Sequence, residues 1–93
     1  MIKIEKVEGE DKGSIMLYAL STCIWCRKTK QLLQDLGVAF SFVYVDQLEG
    51  NDQDDTMDEI KKWNPRCSFP TLVIRNEKCI TGFKEEEIRK ELS

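Results

Sequence analysis

Cys23-Ile24-Trp25-Cys26 lies where an apolar run, Ile15 to Leu20, gives way to a stretch with helical periodicity. Two cysteines three residues apart at the start of a helix share one patch of surface, so a modest adjustment of the first turn brings their sulfurs into bonding range. Such a pair can close and reopen a disulfide without rearranging the fold. The helix end also presents unpaired N–H groups and the positive end of its dipole to Cys23, which favours thiolate over thiol and predicts a nucleophile at neutral pH. The chain has no histidine to act as a base. Activation must therefore come from the helix end and from hydrogen bonding, which suits a thiol and would not suit a serine. In this reading Cys23 attacks a disulfide in line, and Cys26, one helical turn away, displaces the reduced product at high effective concentration. Thr22, Ile24 and Trp25 flank the nucleophile and are the candidate contacts for an incoming partner.

The elements that must position this pair alternate in type. Ile15 to Leu20 reads as a buried strand, bounded upstream by the polar stretch Gly9 to Ser14. The first 13 residues are expected to form an edge strand or a loose tail. Ser21 or Thr22 could cap a helix whose inward face carries Cys26, Thr29, Leu32, Leu33 and Leu36, with Gly37 as its stop. The opposite face carries Arg27, Lys28, Lys30 and Gln34, whose cations would add a weak, salt-screened preference for thiolate. Ala39 to Val45, with Phe40, Phe42 and Tyr44, reads as a second strand covered on both faces, so strand, helix and strand imply a parallel crossover. Asp46 to Asp55 reads as an acidic loop leading into a short helix with Met57, Ile60 and Trp63 inward, ended by Asn64-Pro65. Thr71 to Arg75 and Lys78 to Thr81 read as a hairpin around Asn76-Glu77, and Lys84 to Leu92 as a last helix with Ile88 and Leu92 on one face.

Composition bounds the class. The 93 residues suit one domain with a modest core, taken here as residues 1–93. Hydrophobic residues at 41% and charged residues at 33% are a globular balance, and no apolar run is long enough to span a bilayer. The start, Met1-Ile2-Lys3-Ile4-Glu5-Lys6, alternates charge with apolar residues, unlike a secretory signal, so a cytoplasmic location and no membrane association are expected. A net charge of −3 without a basic tract leaves no footprint for nucleic acid. Four cysteines could form a secreted disulfide framework, but a pair spaced by two in a strand-to-helix context points to redox or metal use under reducing conditions.

The order β-α-β-α-β-β-α with the dithiol after the first strand resembles the glutaredoxins, within the thioredoxin fold, from about Ile15 onward. Three landmarks carry the resemblance: Cys23-Ile24-Trp25-Cys26, Ser68-Phe69-Pro70-Thr71 and Gly82-Phe83. It implies an α/β fold with a central mixed four-stranded sheet flanked by about three helices. It also implies a thiol–disulfide oxidoreductase whose redox-active disulfide joins Cys23 and Cys26. The family's cis proline would be Pro70, set beside Cys23 and holding the backbone of Phe69 open for an extended substrate, with Gly82 and Phe83 completing the substrate contacts. Expected partners are protein disulfides, with glutathione or a flavoprotein or other thiol reductase as electron donor. No tightly bound cofactor is expected, glutathione serving as co-substrate, and the protein is expected to be a monomer.

Departures from the family pattern bear on the donor. Ile24-Trp25 stands where glutaredoxins commonly have Pro-Tyr, which removes a rigid element that influences reduction potential. Ala19, Leu20, Ser21 and Thr22 stand where many have a lysine, so one partner for a glutathione carboxylate is missing. Gly82-Phe83-Lys84-Glu85 replaces the Gly-Gly pair that holds the γ-glutamyl end of glutathione, and Glu85, Glu86 and Glu87 would repel a carboxylate unless Lys84 offsets them. These features look more like the thioredoxin-like glutaredoxins re-reduced by a flavoprotein, although Lys61, Lys62 and Arg66 could still contact glutathione.

Other functions compete. A zinc carrier would need Cys67 and Cys79 beside the pair, and a cluster bridging two chains would use Cys23 with glutathione as a further ligand. A non-catalytic binding module on the same fold would carry a sluggish dithiol. Cys79 reads as a small buried apolar residue, and Cys67, three residues before Pro70, as either a passive loop cysteine or a regulatory thiol.

Overall fold

The computed structural model describes residues 4–92. Its elements run β1 (Glu5–Val7), β2 (Ile15–Ala19), α1 (Ile24–Asp35), β3 (Phe40–Tyr44), a 3-10 turn (Val45–Gln47), α2 (Gly50–Trp63), β4 (Thr71–Ile74), β5 (Lys78–Thr81) and α3 (Glu85–Leu92). The strands form one mixed sheet in the order β1-β3-β2-β4-β5. β2 pairs parallel with β3, joined through α1, and antiparallel with β4, which turns back into β5.

The sheet thus has five strands rather than the four expected. The fifth is β1, which pairs antiparallel with β3, Glu5 opposite Phe42 and Val7 opposite Phe40. Of the amino-terminal segment left open between strand and tail, Glu5–Val7 is strand, and residues 1–3 lie outside the described residues. Its exposed Glu5 and Lys6 suit an edge, where charge discourages further strand pairing. Beyond β1 the chain is fastened to the end of α1: the Glu10 N–H donates to Gly37 O and the Ala39 N–H to Glu10 O. Gly9 makes this approach possible, since a Cβ there would lie 2.6 Å from the Val38 carbonyl carbon.

Both faces of the sheet are covered, which explains why β2 and β4 read as continuous apolar runs. Ile15, Leu17, Ala19, Phe40, Phe42, Leu72, Ile74 and Ile80 face one core with Cys26, Leu32 and Leu33 of α1 and Ile88 and Leu92 of α3. Alternate residues Tyr18, Val43 and Val73 face a second core with Ile60 of α2. Helix α1 stops as its sequence suggests, with Gly37 at φ 70° beyond the last turn.

Two boundaries differ from expectation. Helix α2 begins at Gly50, inside the segment read as loop. Its first turn has no apolar residue to mark it, and Thr56 and Ile60 are its buried residues, with Met57 and Trp63 only partly covered. The β4–β5 loop is three residues long, not two: β4 ends at Ile74, and Arg75 and Asn76 take φ 54° and 53°. Arg75 tolerates the left-handed region because its N–H donates to Ser14 O and its Nε to Lys12 O at 2.8 Å.

Asn64, which closes α2, organises the loop that follows. It is buried, and its Nδ2 lies 3.1 Å from Ser68 O, 2.9 Å from Ser68 Oγ and 3.1 Å from Thr71 Oγ1. Its main-chain oxygen accepts the Cys67 N–H at 2.8 Å, and its Oδ1 accepts the Arg66 N–H. One amide side chain therefore ties the α2 terminus to the start of β4 across the cis Phe69-Pro70 bond. Asn64→Ala would remove the donor that Ser68 Oγ and Thr71 Oγ1 share and leave Ser68 O only its bond from Thr71 Oγ1, and we expect a loss of about 1–3 kcal/mol in urea unfolding. An unchanged midpoint would show that the loop is held by other contacts.

Candidate active site

Cys23, rather than Ser21 or Thr22, caps α1. Its backbone is extended (φ −86°, ψ 119°), its N–H donates to Leu20 O, and its sulfur accepts the Cys26 N–H at 3.3 Å. The thiol sulfur occupies the place a serine or aspartate oxygen takes at an ordinary N-cap. Ser21 is diverted elsewhere: its N–H donates to Asp46 Oδ1 at 2.9 Å and its hydroxyl to Oδ2. These bonds hold the Asp46 carboxyl below the usual carboxylate range, and they brace the β2–α1 turn against the segment after β3.

The two sulfurs have different environments. Cys23 is partly exposed, whereas Cys26 keeps 2% of its surface. Burial first, then the hydrogen bond to the Cys23 side chain, push the Cys26 thiol up to about 12; the charges of Cys23 and Asp46 add to the rise, and a hydrogen bond with the Leu20 backbone opposes it. Cys26 is therefore protonated at neutral pH. All four cysteines are free thiols.

Ile24 and Trp25 remain 59% and 52% exposed, half-open apolar surfaces beside the cysteine that caps the helix. Thr22 is exposed in the same turn. The Trp25 ring stacks on Phe83, centroids 6.0 Å apart with 25° between planes. Trp25, Phe69, Gly82 and Phe83 line an open cleft of 240 Å³. Gly82, at φ 82°, donates its N–H to Pro70 O at 2.9 Å, so the turn before α3 is bonded to the cis-proline loop. The structure thereby links the second and third sequence landmarks by hydrogen bond and the first and third by ring stacking, with Cys23, Phe69 and Phe83 packed against one core.

The lysines of α1 lie over aromatic rings. Lys28 Nζ lies 4.8 Å from the Trp25 ring centroid, and Lys30 Nζ lies 4.2 Å from that of Phe42 and 5.8 Å from that of Tyr44. Both cover aromatic faces. Cys79 lies in β5, its thiol raised by burial and partly offset by Lys84. Cys67 sits at φ 51° against the second core with Trp63 and Phe69. Among the described residues no three His, Cys, Asp or Glu side chains gather as a metal site would require, and no helix is long and apolar enough to cross a membrane.

A mixed sheet with a Cys-X-X-Cys pair at the helix start after its first central strand, and a cis-proline loop lining one cleft with that first turn, defines a thioredoxin-like fold. The glutaredoxin family model matches residues 15–80, and the chain belongs to the glutaredoxin family. It is similar to the glutaredoxin of Methanosarcina mazei, at 52% identity and TM-score 0.90 over 97% of this chain and 87% of that one. Methanosarcina acetivorans methanoredoxin matches at 49% identity and TM-score 0.89, over 91% and 90%. A glutaredoxin-like protein encoded in a rubredoxin operon of Clostridium pasteurianum is 30% identical over 76 residues, 82% of this chain and 93% of its own. Family, fold and the Cys23/Cys26 pair together support a thiol–disulfide oxidoreductase.

The buried Cys26 thiol has a consequence for stability. An unfolded cysteine titrates near 9 and the folded one at about 12. The folded state thus binds the extra proton, and its contribution is full below pH 9 and lost as pH rises towards 12. Unfolding of the reduced protein followed from pH 8 to 11 should show this loss, and Cys26→Ala should remove that part of it. Identical pH slopes for the two proteins would contradict it.

Proposed function

We propose that this chain reduces protein or peptide disulfides, with Cys23 as nucleophile and Cys26 as resolving thiol. The observation that carries the reading is the division of labour between the sulfurs: one is accessible and accepts a helix N–H, while the other is buried and protonated a single turn away.

The Cys23 thiolate attacks one sulfur of the substrate disulfide. A bond forms between Cys23 and that sulfur, the substrate S–S bond breaks, and the other substrate sulfur leaves as thiolate and takes a proton. Once Cys23 is in the mixed disulfide it carries no charge, so that part of the rise in Cys26 falls away while burial, its largest cause, remains. As Cys26 attacks the Cys23 sulfur, a Cys23–Cys26 bond forms, the mixed S–S bond breaks, and the departing substrate sulfur takes the proton that Cys26 releases. The substrate gains two electrons and two protons, and the protein is left as the Cys23/Cys26 disulfide.

Among the described residues no hydrogen bond engages the main-chain N–H or C=O of Phe69. Both suit pairing with an extended substrate, in the way a peptide adds to a sheet edge. Thr22, Ile24, Trp25 and the Phe69, Pro70, Gly82, Phe83 side of the cleft supply the remaining contacts. The oxidised dithiol is returned to the reduced form by an external thiol, either glutathione or a flavoprotein or other thiol reductase. In this reading the protein works as a monomer in a reducing compartment, without a tightly bound cofactor.

Two variants test the assignment. Cys23→Ser is expected to abolish reduction of insulin by a chemical dithiol coupled through this protein. Cys26→Ser is expected to accumulate a substrate adduct on Cys23, visible as a mass increase that dithiothreitol removes. Activity in Cys23→Ser, or an adduct on another cysteine, would refute the roles.

A further inference from the structure

The cleft next to the dithiol has walls of one chemical kind. Three of its four lining residues, Trp25, Phe69 and Phe83, are aromatic, and the fourth, Gly82, has no side chain. Trp25 and Phe83 are stacked, so they present one continuous apolar surface although they are far apart in sequence. That surface comes from the first turn of α1 and from the turn before α3, while Phe69 belongs to the loop expected to pair with substrate. A peptide whose half-cystine reaches Cys23 while its main chain runs along Phe69 must lay a flanking side chain against this surface.

The residues that follow this wall in sequence are charged. Immediately after Phe83 and Lys84, the first turn of α3 is Glu85, Glu86 and Glu87. These acids already occupy the positive end of the helix dipole, which would otherwise attract a substrate carboxylate. Lys28 lies over the indole of Trp25. An acidic flank therefore loses water against apolar rings and finds no charged partner among the four lining residues, whereas an aromatic or long aliphatic flank displaces water from exposed ring faces.

We propose that the stacked pair of Trp25 and Phe83, with Phe69, is a specificity surface that selects peptide disulfides carrying a large apolar residue beside the half-cystine attacked by Cys23. This deepens the proposed reductase function and rests on it; the chemistry of the step is that given above, with a chemical dithiol as reductant.

The test uses the full chain and three disulfide-linked synthetic peptides that differ only in the two residues flanking the half-cystine: Phe, Gly or Asp. Dithiothreitol regenerates the protein, and kcat/KM is measured for each. The Phe peptide should exceed the Gly peptide by about five- to tenfold, the range expected for one aromatic contact and its burial, and the Asp peptide should fall below Gly. Phe83→Trp should keep the Phe-to-Gly ratio and Phe83→Ala should bring it near one. Phe83→Leu, which retains core volume, should at least halve the ratio and serves if the alanine variant does not fold. Equal turnover of the three peptides by the unmodified protein, or an unchanged ratio in Phe83→Ala and Phe83→Leu, would overturn the specificity surface alone. No turnover of any peptide would overturn the reductase reading itself.

Discussion

The Cys26 N–H directed at the Cys23 sulfur is the contact on which the site is built. It makes a thiol the cap of α1, so the sulfur proposed as nucleophile is positioned by the same bond that starts the helix. The helix in turn fixes where Cys26 lies, three residues on and facing the core with Thr29, Leu32 and Leu33. One sulfur must then be accessible and the other buried. The chemical asymmetry of the pair follows from helix periodicity and from the apolar face that α1 lays on the sheet.

Everything else at the site is brought to that helix end by the sheet. β2 delivers the chain to Cys23, and β4, its antiparallel neighbour, begins directly after the cis Phe69-Pro70 bond. β5 returns beside β4 and leads to Gly82, whose N–H meets Pro70 O. Three segments far apart in sequence therefore converge because the strands preceding or following them are hydrogen-bonded neighbours. The buried amide of Asn64 fastens the middle segment, satisfying polar groups that would otherwise be costly inside the loop.

Much of this was legible in the sequence because the central strands and α1 have strong patterns. Apolar runs marked β2 and β4, helical spacing marked the inward face of α1, and Gly37 marked its end. β1 was harder to read, since an edge strand of three residues with two charges carries little hydrophobic alternation. The start of α2 was hidden by acidic residues that suit a helix N-terminus as well as a loop. The tertiary partners were beyond sequence reach: nothing local says that Ser21 bonds Asp46, that Lys30 lies over Phe42, or that Trp25 stacks on Phe83. Asn64 was read as a stop signal, and only its burial near Ser68 and Thr71 reveals its role as a hub.

The most direct measurement is site-resolved alkylation of the reduced protein with iodoacetamide at pH 7, followed by peptide mass spectrometry at short times. Modification of Cys23 well before Cys26 is the result expected when one sulfur is the exposed helix cap and the other is buried with its proton held to about pH 12. Equal rates at the two cysteines, or faster modification of Cys26, would contradict the division of roles from which the function is drawn.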